Sequence, residues 1–198
     1  DAHVRYELQR NSVDGYDSPA LVERSTQAGE RPELLPHLQR WEAQRHKPQP
    51  PTVPLWISDY LIQDAVRWLA KQKEPVLVWY ESQAIVEKLA EHMPIYGAGD
   101  GAPPVVETCA VSIRAQGEGL NLHDWRVNLV LEPSSGGAVW EQKLGRTHRP
   151  GQRADEVECW VYAHTAPYRD AIGKARAAAR YIENTTGNQQ KLCYGTWL

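Results

Sequence analysis

Val76-Leu77-Val78-Trp79-Tyr80, preceded by Pro75 and followed by Glu81-Ser82, is the stretch that decides the fold. The run is apolar throughout and does not alternate, the pattern of a strand covered on both faces, as in a parallel sheet. Directly after it Ser82 stands where an N-cap is expected, and Ile85, Val86, Leu89 and Ala90 recur at helical spacing over 83–92. A strand followed at once by a helix that can pack back onto it is a βα unit. On the other side, Ser58 reads as an N-cap, and Leu61, Ala65, Trp68 and Leu69 predict a helix that Pro75 stops.

Working outward, Pro94-Ile95-Tyr96 leads into a Gly- and Pro-rich loop over 97–104, and strands are expected at 108–113 and 127–131. A short helix over 138–147, a strand over 157–163 and a closing helix over 168–182 continue the alternation. The class predicted is α/β: a mostly parallel central sheet with helices on both faces and working residues on loops beyond the carboxyl ends of the strands. Residues 1–54 differ in character, being rich in Arg, Glu, Gln and Pro, poor in aliphatics, and closed by Lys47-Pro48-Gln49-Pro50-Pro51. They read as an extension and linker, with short helices opening at Ser18-Pro19 and spanning 33–45 but no strong apolar face. The expected organisation is therefore an extension, 1–54, and one domain, 55–198, within the single sizeable core that 198 residues allow. No internal repeat is present.

A formal net charge of -3 excludes a polycation that binds nucleic acid by bulk charge, so any such contact must come from local clusters. Cys109, Cys159 and Cys193 are odd in number and widely spaced, unlike a disulfide framework or a zinc site, which fits a reducing cytoplasm. No apolar stretch is long enough to cross a bilayer and the charged start has no signal-peptide core, so a soluble, unexported protein is expected. A start at Asp1 instead of Met points to a piece of a longer polypeptide.

Two segments carry chemistry. Gln142-Lys143-Leu144-Gly145-Arg146-Thr147-His148-Arg149-Pro150-Gly151-Gln152 places two arginines three residues apart at a helix end, where both guanidinium groups could face one site. Planar, permanently charged arginine suits the charge that spreads over phosphoryl oxygens during transfer; two arginines that merely solvate a helix end are the competing reading. Ser112-Ile113-Arg114-Ala115-Gln116-Gly117-Glu118-Gly119-Leu120-Asn121-Leu122 follows a predicted strand and supplies glycines where backbone can approach a ligand, although Gly-x-Gly alone is a common turn.

The first of these segments resembles motif VI of superfamily-two helicases in its Swi/Snf-like form, Gln-x-x-x-Arg-x-His-Arg-x-Gly-Gln. The second resembles motif V, usually Gly-Gly-x-Gly-Leu-Asn-Leu, and the two occur in the family's order. Val76 to Tyr80 with Glu81-Ser82 is similar to motif IV. The resemblance covers about 55–192, is nearer to compact phage and bacterial forms, and implies a RecA-like three-layer sandwich, the C-terminal lobe of an ATP-dependent DNA helicase or translocase. It implies that Arg146 and Arg149 are arginine fingers, that Gln142 helps organise the interlobe cleft, and that His148 and Gln152 hold the loop in shape. It also implies that Gly117 and Gly119 line the cleft and that Arg114 and Ser82 contact the nucleic-acid backbone. Gln116 stands where relatives usually have Gly, and Ile113 where they often have Thr or Ser, which removes a hydroxyl.

The chain contains neither a Gly-x-x-x-x-Gly-Lys-Ser/Thr phosphate loop nor an Asp-Glu-x-His or Asp-Glu-Ala-Asp motif. ATP and Mg would then be held mainly by an N-terminal RecA-like lobe, the expected partner together with DNA. This chain alone is expected to bind no cofactor and to be inactive. A second class of reading is a non-catalytic nucleic-acid or protein binding module derived from such a lobe. A dinucleotide-binding enzyme is disfavoured, since no Gly-x-Gly-x-x-Gly opens a helix after the first strand. Lys174, Arg176 and Arg180 read as a solvated helix face, and most of the eight tryptophans as core.

Overall fold

A computed structural model describes residues 19–44, 46, 55–97, 99–112 and 120–195. The chain divides into two compact units, Asp1–Val53 and Pro54–Leu198.

In the first unit, helix α1 (Pro19–Gln27) and helix α2 (Leu35–Gln44) are joined through a 3-10 turn, Pro32–Leu34. Gly29 turns the chain between them with φ of 73°, a left-handed conformation that glycine adopts without a Cβ penalty. Val22, Leu34 and Leu38 are buried together and Trp41 packs on them, so these helices share a small apolar cluster that the charged composition had obscured.

The second unit runs α3 (Tyr60–Leu69), β1 (Val76–Tyr80), α4 (Gln83–Leu89), β2 (Ile95–Tyr96), β3 (Cys109–Ser112), β4 (Val127–Val130), α5 (Gly137–Thr147), β5 (Glu158–Val161), α6 (Ala166–Thr186) and α7 (Lys191–Tyr194). The strands form one sheet in the order β2-β3-β1-β4-β5, and every pairing is parallel. β1 occupies the centre, and its unbroken apolar sequence follows from burial on both faces. Val76, Val78 and Tyr80 point into a core formed with α3 and α4, through Ile62, Ala65, Ile85, Val86 and Leu89. Leu77 and Trp79 point the other way, into a core with Trp140 of α5, Ala175 and Ala179 of α6 and Leu192 of α7. The second unit is thus an α/β three-layer sandwich, all parallel where the sequence predicts mostly parallel, an architecture consistent with the RecA-like sandwich.

α5 and α6 approach closely at Gly137: a Cβ there would lie 2.8 Å from the Ala179 nitrogen and 3.1 Å from the Ala175 carbonyl oxygen, so backbone meets backbone only because this residue has no side chain. α6 opens with Thr165 capping the Tyr168 N–H and closes on Gly187 at φ 71°, the usual asymmetry of helix ends.

Several expectations change. α3 ends at Leu69 with a turn through Ala70 and Lys71, before Pro75, and its entry uses the Ser58 hydroxyl as acceptor for the Tyr60 N–H at 3.1 Å. Ser82 holds the N-cap position of α4 but its side chain makes no capping hydrogen bond. The carboxylate of Glu132, just past β4, accepts the N–H groups of both Glu81 and Ser82 at 2.8 Å instead. That carboxylate ties the N′ and N-cap amides to the end of β4, fixing where the chain enters the helix, while the first-turn N–H groups receive no side-chain cap from Ser82. Trp79 and Trp140 are core, whereas Trp160 on the edge strand β5 is 49% exposed and rests against Trp68 with ring centroids 5.5 Å apart.

Candidate functional site

α5 leaves the carboxyl end of β4 and must bring the chain back to the start of β5, parallel to β4. Its own C-terminus therefore lies at the amino edge of the sheet, and so does the arginine segment. This corrects the expectation that working residues sit beyond the carboxyl ends of the strands: a residue late in a crossover helix is carried to the opposite edge. Ser82, after β1, and the segment that follows β3 leave the sheet at the carboxyl edge.

The loop after α5 is fixed by polar contacts. His148 leaves helical geometry at φ -94° and ψ 82° while its N–H still bonds to the Leu144 carbonyl at 2.8 Å. Gly151, at φ 103°, turns the chain beneath His123, two of whose ring atoms would lie 3.3 Å from a Cβ at that position. Gln152 Nε2 donates to the carbonyls of Trp125 and Thr147, each at 3.2 Å, and its Oε1 accepts the Ala154 N–H at 3.0 Å. The loop-shaping role implied for Gln152 thus has a specific geometry, whereas His148 is exposed and contributes through its backbone.

Arg146 is 8% exposed; Nη1 donates to the Leu120 carbonyl at 3.2 Å, and the Arg146 carbonyl receives the Leu122 N–H at 3.2 Å. Its Nε is buried without a hydrogen-bond partner among the described residues. Burial, and then the neighbouring charge of Arg149, lower the Arg146 pKa from its ordinary value. Arg149 is exposed and borders an open recess of about 370 Å³ with His148, Pro150, Gln152, Ala154 and Lys191. Lys191 is committed to Glu141, with an Nζ–Oε1 distance of 2.6 Å. No ion pair engages Arg146 or Arg149 among the described residues. The structure therefore sets two guanidinium groups in each other's field with no carboxylate among the described residues paired to either, one inside the fold and one at its surface.

Gln142 is exposed one turn before Arg146 and does not border the recess. Arg114, Gly117 and Gly119 lie outside the described residues, as does the rest of 113–119. Among the described residues no group of three or more His, Cys, Asp or Glu could hold a metal ion, and no helix is long and apolar enough to cross a membrane.

One residue that sequence reasoning passed over is Lys143. It is 2% exposed, with Nζ 5.1 Å from the centre of the Trp140 ring. Burial lowers its pKa, against the opposing influence of Glu81, Cys159 and Glu132. Beside it the Cys159 thiol is pushed up to about 12 by burial, with the Lys143 charge pulling the other way. A lysine inside a polar helical run gives no sequence signal of burial. Only the i+3 spacing from Trp140 places it on the inward face.

No known protein family matches the chain, and no curated protein matches it. The chemistry of the site rests on its own groups: an exposed guanidinium, Arg149, with no ion pair among the described residues and a second, Arg146, buried behind it, is suited to a phosphate-bearing anion.

Proposed function

We propose that the second unit is the C-terminal RecA-like lobe of an ATP-dependent DNA helicase or translocase. In this reading it supplies Arg146 and Arg149 to ATP that another RecA-like lobe holds with Mg. The observation that carries the reading is the absence of any ion pair at these two arginines among the described residues, together with the orphaned Nε of Arg146. Burying part of a guanidinium group without satisfying it is costly, and an anion delivered to this edge would remove that penalty. A bland surface pair would instead be expected to collect carboxylates, of which the chain has no shortage at 25 Asp and Glu residues.

In the reaction, Arg149 reaches from the surface and Arg146 supports it from within. Their fixed positive charge stabilises the negative charge that grows on the phosphoryl oxygens, a contribution on the order of a thousandfold or more in rate. The carboxyl edge, where Ser82 follows β1, is left to the nucleic-acid backbone, with Arg114 as a further candidate contact. Placing the two tasks on opposite edges of one sheet lets motion of the lobe as a rigid body connect them.

The deciding experiment is DNA-stimulated ATP turnover by this chain joined to the polypeptide encoded upstream of it. Arg146→Ala and Arg149→Ala should each lower turnover by about a thousandfold while leaving nucleotide affinity within about tenfold. Turnover unchanged in both variants, or no turnover by the unaltered protein, would put the binding-module reading in its place.

A further inference from the structure

Asn128 is the one polar side chain on β4, at the second position of the strand and 1% exposed. Its hydrogen-bonding groups are engaged on both sides. Oδ1 accepts from Trp79 Nε1 at 3.0 Å, and Nδ2 donates to Thr147 Oγ1 at 3.3 Å and to the Glu158 carbonyl at 3.2 Å. Thr147 is fully buried, is the last residue of α5, and stands directly between Arg146 and His148.

This trio lies on the face of the sheet that is otherwise packed with Leu77, Val111, Val130 and Trp140. Leucine at 128 and valine at 147 would fill similar volume but would leave the buried Trp79 Nε1–H without the acceptor it has in Asn128. Apolar packing tolerates small sliding of a helix over a sheet, whereas a directional bond fixes one height. Trp79 orients the Asn128 amide from β1, Asn128 sets Thr147 from β4, and Gln152 grips the Thr147 carbonyl from the far side of the loop. The arginine segment is thus held from inside the sheet at the residue that separates Arg146 from the turn.

We propose that Asn128 is a positioning residue, acting through the hydroxyl of Thr147, that sets the placement of the Arg146–Arg149 loop and hence its affinity for phosphate-bearing ligands. The proposal rests on the reading of that loop as a phosphate site.

The test uses the 198-residue chain and inorganic pyrophosphate as the probe, with binding followed by calorimetry and amide hydrogen exchange followed over 146–152. Thr147→Ser keeps the hydroxyl and should behave like the unaltered chain. Thr147→Val keeps the shape and loses the hydroxyl, and should weaken binding about fivefold, the equivalent of one neutral hydrogen bond. Exchange over 148–152 should rise by a similar factor in the valine variant alone, with protection in β1 and β4 unchanged. Thr147→Ala replaces the valine variant if valine is not accommodated. If pyrophosphate binds, Arg149→Ala abolishes that binding, and the valine and serine variants are alike in affinity and exchange, the positioning role is overturned while the site stands. If the unaltered chain does not bind pyrophosphate, the affinity claim falls, while the phosphate reading itself stands or falls by the turnover experiment on the two arginine variants. The exchange comparison then decides separately whether the hydroxyl holds the loop.

Discussion

Arg146 and Lys143 sit three residues apart on the inward side of one helix, yet their chemistry was unequally visible beforehand. Arg146 stands out because of its spacing from Arg149 and the company of His148, Gly151 and Gln152. Its burial could not be read, since burial depends on how α5 lies on the sheet. Lys143 gives only the i+3 spacing from Trp140 as a signal, because a lysine in a short polar helix ordinarily snorkels to water. Its measurable consequence is a pH dependence. With a pKa below the ordinary 10.5 in the fold, Lys143 gives up its proton there before the unfolded chain does. Between the folded value and the unfolded one the unfolded state binds the extra proton, so this residue makes stability rise with pH across that interval. Lys143→Met removes the buried charge and should be more stable at neutral pH by about 1 kcal/mol. That advantage should shrink as pH climbs toward 10.5. Urea unfolding of both proteins at neutral and alkaline pH measures the difference, in which the tyrosines common to both cancel. A gap that stays constant with pH would remove the buried charge as its cause.

At the scale of elements, those that bury an apolar face were the legible ones. β1, α4, β4 and α5 are found within a few residues of where periodicity puts them, because each must cover or be covered by the core. α7 was not anticipated: its four residues have too little length for a period to show, and it is anchored by Leu192 and by the Lys191 N–H bonded to the Glu141 carboxylate at 2.6 Å. Ser82 holds the N-cap position of α4 as its sequence suggests, but its hydroxyl makes no capping hydrogen bond; the carboxylate that fixes the entry, through the Glu81 and Ser82 N–H groups, comes from Glu132, 50 residues away from Ser82, and a local motif cannot name it. Glu132→Ala would leave the Glu81 and Ser82 N–H groups without that acceptor. We expect a loss of about 1–3 kcal/mol in urea unfolding, with faster exchange of those two amides and little change at β5. A loss near zero, with exchange at Glu81 and Ser82 unchanged, would mean that the Glu132 carboxylate does not hold the entry to α4.

For the whole molecule, the α/β class followed from a handful of strands, but the edge on which each candidate group sits did not. Direction along a crossover decides it, and the general rule of carboxyl-end sites misplaces Arg146 and Arg149. The division of labour proposed for the two edges has its own test in DNA binding. With a formal net charge of -3, the chain has no bulk attraction for DNA, so on the proposed reading any affinity depends on a few cations, Arg114 first among them. Duplex binding by the full chain, followed by fluorescence anisotropy between about 50 and about 200 mM salt, should fall steeply with salt. Arg114→Ala should flatten the slope of log affinity against log salt by about 1, the release of one counterion. Lys71→Ala, at the exposed end of α3 on the amino edge, should leave that slope as it was. Equal effects from both substitutions would mean that DNA is not confined to the carboxyl edge, and the separation of nucleotide and nucleic-acid tasks across the sheet would be lost with it.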